Sequence, residues 1–135
     1  MFTALIVEDN DAFRKMLKEV LLTRFPKMFL VEEPDGSELF SRIATFHPNI
    51  VFMDIGLPGE SGLELTRRIK IDYPDIIVII LTSYDLPEYR QAAIKSKADY
   101  FISKDSSTQD FLALVESIYE RQEKEIRIDK RNSPD

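Results

Sequence analysis

Six consecutive apolar residues, Ile76 to Leu81, run without a polar break inside the stretch DIIVIILTS. A strand with one wet face alternates apolar and polar residues. An unbroken run of this length therefore reads as a strand buried on both faces, as in a parallel sheet covered by helices. Four shorter runs accompany it: TALIVED, MFLVEE, NIVFMD and ADYFISK. The segments between them have helical period. Phe13, Met16, Leu17, Val20 and Leu21 share one face, Leu39, Ile43 and Phe46 a second, Leu65 and Ile69 a shorter third, and Phe111, Leu114, Val115 and Ile118 a last. Asp85 to Lys97 holds few large apolar residues, which predicts the loosest helix, and Ser106 with Gln109 fits a capping box opening the final one. Strand alternating with helix five times predicts a doubly wound α/β domain. Its parallel sheet is expected in the order 2-1-3-4-5, with helices on both faces.

Sheets of this kind bind ligands at the carboxyl ends of their strands, beside the switch between the first and third. Strand one ends in Glu8 and Asp9, strand three in Asp54, strand four in Thr82 and strand five in Lys104. Singly, each has a structural explanation, such as a helix cap, a turn former or a solvated lysine. Jointly they converge on one edge. Three carboxylates held together repel one another at neutral pH unless a cation compensates. With no cysteine and one histidine, His47, a zinc site is disfavoured, and an all-oxygen set suits Mg²⁺. An aspartate beside Mg²⁺ and a lysine can act as a nucleophile toward phosphorus and hold the group as an acyl phosphate. Thr82 is placed to hydrogen-bond one of its oxygens. Three of the chain's four glycines, Gly56, Gly59 and Gly62, follow Asp54 in VFMDIGLPGESG, together with Pro58. Glycines there allow backbone to approach the metal and the phosphoryl group closely.

The net charge of −6 argues against a broad nucleic-acid surface. No apolar run approaches the roughly 20 residues that span a membrane, which points to the cytoplasm and to no membrane partner. After about Glu120 the chain turns polar and charged, so residues 122–135 are expected to be a tail or the start of a linker, and residues 1–121 the domain.

The Glu8-Asp9 pair, the loop MDIGLPGESGLEL, the strand end ILTS and the segment ADYFISK stand in one register. In this the chain, from Thr3 to Ile118, resembles the receiver domain of bacterial two-component response regulators. The resemblance implies a flavodoxin-like (βα)5 fold and a signalling switch rather than an enzyme. It implies that Asp54 accepts a phosphoryl group from a histidine kinase. Mg²⁺ would be held by Asp9 directly, by Glu8 mainly through water, by Asp54 and by the backbone carbonyl of Gly56. Thr82 and Lys104 would contact the phosphoryl group, and Thr82 with Phe101, which has Tyr100 beside it, would form the switch. The readout would pass through helix four, strand five and helix five and would serve to control transcription. A homodimer through that region would use Tyr89, Phe111 and Tyr119. Asp105 after Lys104 resembles receivers fused to helix-turn-helix output domains, so DNA would be reached only through a domain outside this chain. Gly56 offers no side chain to orient an attacking water and Tyr84 is large enough to shield the group, which implies a long phosphoryl lifetime. Two other classes share these residues: a degenerate receiver acting as a constitutive interaction domain, and a small Mg²⁺-dependent aspartyl-phosphate phosphotransferase. Against the latter, no cap domain is present to form a substrate pocket.

Overall fold

The computed structural model describes residues 1–131, with side chains described to residue 125. The elements alternate as β1 (Thr3–Val7), α1 (Asp11–Arg24), β2 (Phe29–Glu33), α2 (Leu39–Phe46), β3 (Ile50–Met53), α3 (Gly62–Asp72), β4 (Ile77–Thr82), α4 (Pro87–Lys95), β5 (Tyr100–Ser103) and α5 (Thr108–Arg131). The five strands form one sheet in the order β2-β1-β3-β4-β5, every pair parallel. The fold expected from the apolar runs is the fold observed.

Two compact units make up the chain, Met1–Asp105 and Ser106–Asp135. In the first, alternate residues of the strands face one cluster: Leu5 and Val7, Val51 and Met53, Val78 and Ile80 meet Leu39 and Ile43 of α2, Leu65 and Ile69 of α3 and Ala93 of α4. Because β1 to β2 steps one way across the sheet and the later connections step the other, right-handed crossovers put α1 on the opposite face. Ala4, Ile6, Phe52 and Ile79 point that way and are equally buried, and α1 buries Leu17 and Leu21. Met16 and Phe46, expected on buried stripes, are instead exposed. Phe46 still meets the Phe29 ring of β2, with ring centres 5.8 Å apart.

Local chemistry fixes the helix starts. The Asn10 side chain accepts a hydrogen bond from the Phe13 N–H at 2.9 Å and opens α1, while Ser61 accepts from Leu63 at 3.2 Å and opens α3. Pro87 stands in the first turn of α4, whose one buried residue, Ala93, agrees with the sparse apolar pattern. His47 ends α2 in the left-handed region at φ 48°.

The second unit is a single helix with its cap. Here the cap is Ser107, whose hydroxyl accepts from the Asp110 N–H at 3.0 Å, one residue later than the sequence pattern suggested. Two adjacent serines each followed by a polar residue at the third position leave that choice to tertiary context. The polar stretch expected to be a tail continues α5 as far as Arg131, and its last four residues, 132–135, lie outside the described residues. Among the described residues no helix is long and apolar enough to cross a membrane.

Candidate functional site

Sheet register carries the chemistry to one edge. Val7 lies opposite Met53 and Met53 opposite Ile80, so β1 and β3 end level and β4 runs two residues further, to Thr82 opposite Ser103. Backbone hydrogen bonds extend the ladder one step further. The Asp54 N–H donates to the Val7 carbonyl at 3.1 Å, Lys104 N–H to the Thr82 carbonyl at 2.9 Å, and Glu8 N–H to the Glu33 carbonyl at 3.1 Å. These bonds seat Asp54 beside Glu8 and Lys104 beside Thr82.

Carboxylate oxygens of Glu8, Asp9 and Asp54 lie within 4.8 Å of one another, Glu8 and Asp54 buried and Asp9 exposed. The Lys104 ammonium stands 2.5 Å from Glu8 Oε1 and 3.5 Å from Asp54 Oδ2. Every donor in this cluster is an oxygen, two of them buried and one open to solvent. Such a set fits a hard divalent cation that keeps some of its water. The Gly56 N–H points toward Asp54 Oδ1 at 3.4 Å. Thr82 is fully buried, and its hydroxyl accepts from the Tyr84 N–H at 3.2 Å. Phe101 is half-buried against the core with the Arg90 guanidinium 4.7 Å from its ring centre, and Arg90 is itself paired with Asp85 at 2.6 Å. Of the aromatic residues considered for surface contacts, Tyr89 and Tyr119 are half-buried and Phe111 is buried.

The loop after Asp54 is built for close approach. A Cβ on Gly62 would lie 1.9 Å from the Asp54 carbonyl oxygen, so the start of α3 presses directly on the backbone that carries Asp54. A Cβ on Gly56 would lie 2.9 Å from Cε2 of the Tyr84 ring, which therefore covers this side of the loop.

Burial pushes the Glu8 carboxyl up to about 7, with the Asp54 charge adding to the rise and the Lys104 hydrogen bond opposing it. Since this value is above the ordinary 4.5, the folded chain binds more protons than the unfolded chain between the two. Without divalent ions, stability is expected to fall as pH rises from 4.5 to about 7 and to level off above. A divalent ion requires the ionised carboxylate, so its affinity is expected to climb over the same window with release of a proton. Thermal melts across that range, and titration calorimetry in two buffers of different ionisation enthalpy, check both signs.

Two residues at this site were not among those the sequence pattern assigned to it, Phe13 having been placed only on the apolar face of α1. Arg14 donates from Nη1 to the Glu8 carbonyl at 2.7 Å and also pairs with Asp11 at 2.6 Å and Glu32 at 3.2 Å, which ties the acidic turn to α1 and β2. The Phe13 ring centre lies 4.3 Å from the Lys104 ammonium. Both follow the acidic pair within EDNDAFR, a proximity that was the available signal.

Known proteins resemble this chain in sequence and fold. The family model of the response regulator receiver domain matches residues 4–116. The oxygen regulatory protein NreC of Staphylococcus epidermidis is 28% identical over 116 residues, covering 85% of this chain and 53% of that protein. The transcriptional regulatory protein DegU of Brevibacillus brevis is 27% identical over 113 residues, covering 84% and 47% respectively. The chain thus spans about half the length of these curated relatives. Among solved structures, a CheY-like response regulator receiver domain protein from Methanospirillum hungatei superposes with a TM-score of 0.82 at 26% identity, covering 93% of this chain and 98% of that one. With strand order, edge chemistry and family match in agreement, this chain belongs to the response regulator receiver domain family.

Proposed function

We propose that the chain is a switch activated when Asp54 accepts a phosphoryl group from a histidine kinase, and that in a longer protein it controls transcription. The observation that carries this reading is the Glu8, Asp9 and Asp54 cluster with the Lys104 ammonium 3.5 Å from Asp54. An Asp54 carboxylate oxygen attacks phosphorus and forms an O–P bond as the P–N bond of the phosphohistidine breaks. The electron pair stays on the imidazole nitrogen, which takes a proton from solvent. Lys104, already beside Asp54, turns to an oxygen of the transferring group, and Thr82 gives its hydroxyl to another. Glu8, Asp9, Asp54 and the Gly56 carbonyl are the residues that would hold Mg²⁺. Once bound, that ion supplies charge neutralisation for the phosphoryl oxygens.

Withdrawal of the Thr82 hydroxyl toward the phosphoryl group frees space beside β4, and Phe101 on β5 moves with it, changing the surface that α4 and β5 present. The phosphoryl group shifts this equilibrium only through its different contacts with the two states. Exposed Leu86 and Ile94 on and beside α4 make that surface a candidate for a second copy, to be read by sedimentation of the phosphorylated chain. Residues 1–121 form the receiver and 122–135 begin the link to an output domain, which would make the DNA contacts this acidic chain is unsuited to. A cytoplasmic setting follows from the kinase as donor.

Intact mass after incubation with acetyl phosphate tests the reading. One phosphoryl group is expected with Mg²⁺, none without it, and none on Asp54→Ala. Absence of an adduct on the wild-type chain would favour a constitutive interaction domain. With Tyr84 over Gly56, the adduct is expected to persist for minutes or longer in the same mass series, and decay within seconds would contradict the shielding role.

A further inference from the structure

We propose that Phe13 is a positioning residue for Lys104, its ring holding the ammonium at the strand edge without consuming the N–H donors that phosphoryl transfer requires. The inference rests on the functional reading above. Lys104 leaves β5 by one residue, and its long stem has many rotamers open to it. On one side its ammonium meets the Glu8 and Asp54 carboxylates at 2.5 and 3.5 Å. On another it meets the Phe13 ring centre at 4.3 Å, well within cation–π range.

These two kinds of partner differ in what they leave free. A carboxylate takes a specific N–H in a directed bond, and that bond must break before the same proton can reach a phosphoryl oxygen. An aromatic face attracts the charge as a whole and claims no single proton. The ring is therefore a pivot on which the ammonium can turn from Glu8 toward the incoming phosphoryl group. Its backbone is anchored, because the Phe13 N–H donates to the capping Asn10 side chain at 2.9 Å in the first turn of α1. The next residue, Arg14, bonds the Glu8 carbonyl at 2.7 Å, so the same turn sets both the acidic pair and the cation opposite it.

Two measurements test this, one independent of any phosphoryl transfer. In NMR of the ¹³C-lysine-labelled chain, the ring current of Phe13 is expected to displace the Lys104 ε-CH₂ protons upfield. Phe13→Tyr should keep that displacement and Phe13→Leu should lose it. Phosphorylation by acetyl phosphate at saturating Mg²⁺ is expected to slow about tenfold in Phe13→Leu, to stay near wild type in Phe13→Tyr, and to be unaffected by Phe13→Leu when Lys104→Met is already present. Ring-fluorinated phenylalanine at position 13 weakens the π face at nearly constant volume and should slow transfer in step with fluorine count, even if Phe13→Leu folds poorly. A Lys104 signal unmoved by Phe13→Leu would overturn the placement. Equal slowing with and without Lys104 would overturn the role and leave Phe13 as packing alone. A wild-type chain that takes no phosphoryl group would overturn the functional reading instead, with the Lys104 signal still deciding where the ammonium sits.

Discussion

Gly62→Ala is expected to cost about 3 kcal/mol of stability, at the upper end of overpacking effects, and to impair Mg²⁺-dependent phosphorylation with it. The added Cβ would stand 1.9 Å from the Asp54 carbonyl oxygen, 2.8 Å from its carbonyl carbon and 3.1 Å from the Ile55 Cα. All three are backbone atoms, so no side chain can rotate away. The Gly62 N–H also donates to the Ile55 carbonyl at 3.2 Å, and its own carbonyl accepts from the buried Thr66 hydroxyl at 2.8 Å, which pins α3 from both sides. Relief must come from moving the loop that carries Asp54. Gly59 provides the control: it has φ +82°, but a Cβ there would meet nothing within 4 Å. Gly59→Ala should therefore cost only about 1 kcal/mol, the ordinary penalty for a side chain in the left-handed region. Denaturant midpoints separate the two, and a Gly62→Ala chain within 1 kcal/mol of wild type would show that the contact is not rigid.

Lys104→Met is expected to move two properties in opposite directions. The ammonium now lies among the carboxylates, 2.5 Å from Glu8 and 3.5 Å from Asp54, where it competes with a divalent ion for the same negative charge. Without it, Mg²⁺ should bind about tenfold more tightly. Phosphoryl transfer should nevertheless slow by about a hundredfold, because a positioned donor to the developing charge is lost. Calorimetry gives the first effect and single-turnover phosphorylation the second. A lysine whose role was purely structural would weaken both together.

Much of the fold was legible because the apolar run at Ile76–Leu81 leaves so few architectures, and because Glu8, Asp54 and Lys104 each follow directly on a strand and Thr82 ends one. Once the strands are parallel, residues at their carboxyl ends must gather at one edge. Other features depend on contacts between elements that have no fixed spacing along the chain. The glycines after Asp54 were read as a group, yet only Gly62 makes the close backbone approach, Gly59 serves the turn and Gly56 faces Tyr84. Phe13 looked like one more member of an apolar stripe, and its ring is instead against Lys104, more than ninety positions away in sequence. The polar residues beyond Glu120 suggested a tail, whereas arginine, glutamine, glutamate and lysine are all good helix formers and α5 continues through them. Buried Glu33, which accepts from Arg42 Nε at 2.9 Å, shows the same limit: a charged strand end gives no sign of the partner that allows it to be buried.

The most direct test of the central claim is to locate the phosphoryl group. Borohydride reduces an aspartyl phosphate to homoserine, so the chain phosphorylated by acetyl phosphate with Mg²⁺ would be reduced, digested and read by peptide mass spectrometry. Homoserine is expected at position 54 and at no other position. Homoserine in place of Asp9 or another carboxylate, or a phosphoryl group that survives reduction on a different kind of side chain, would contradict it.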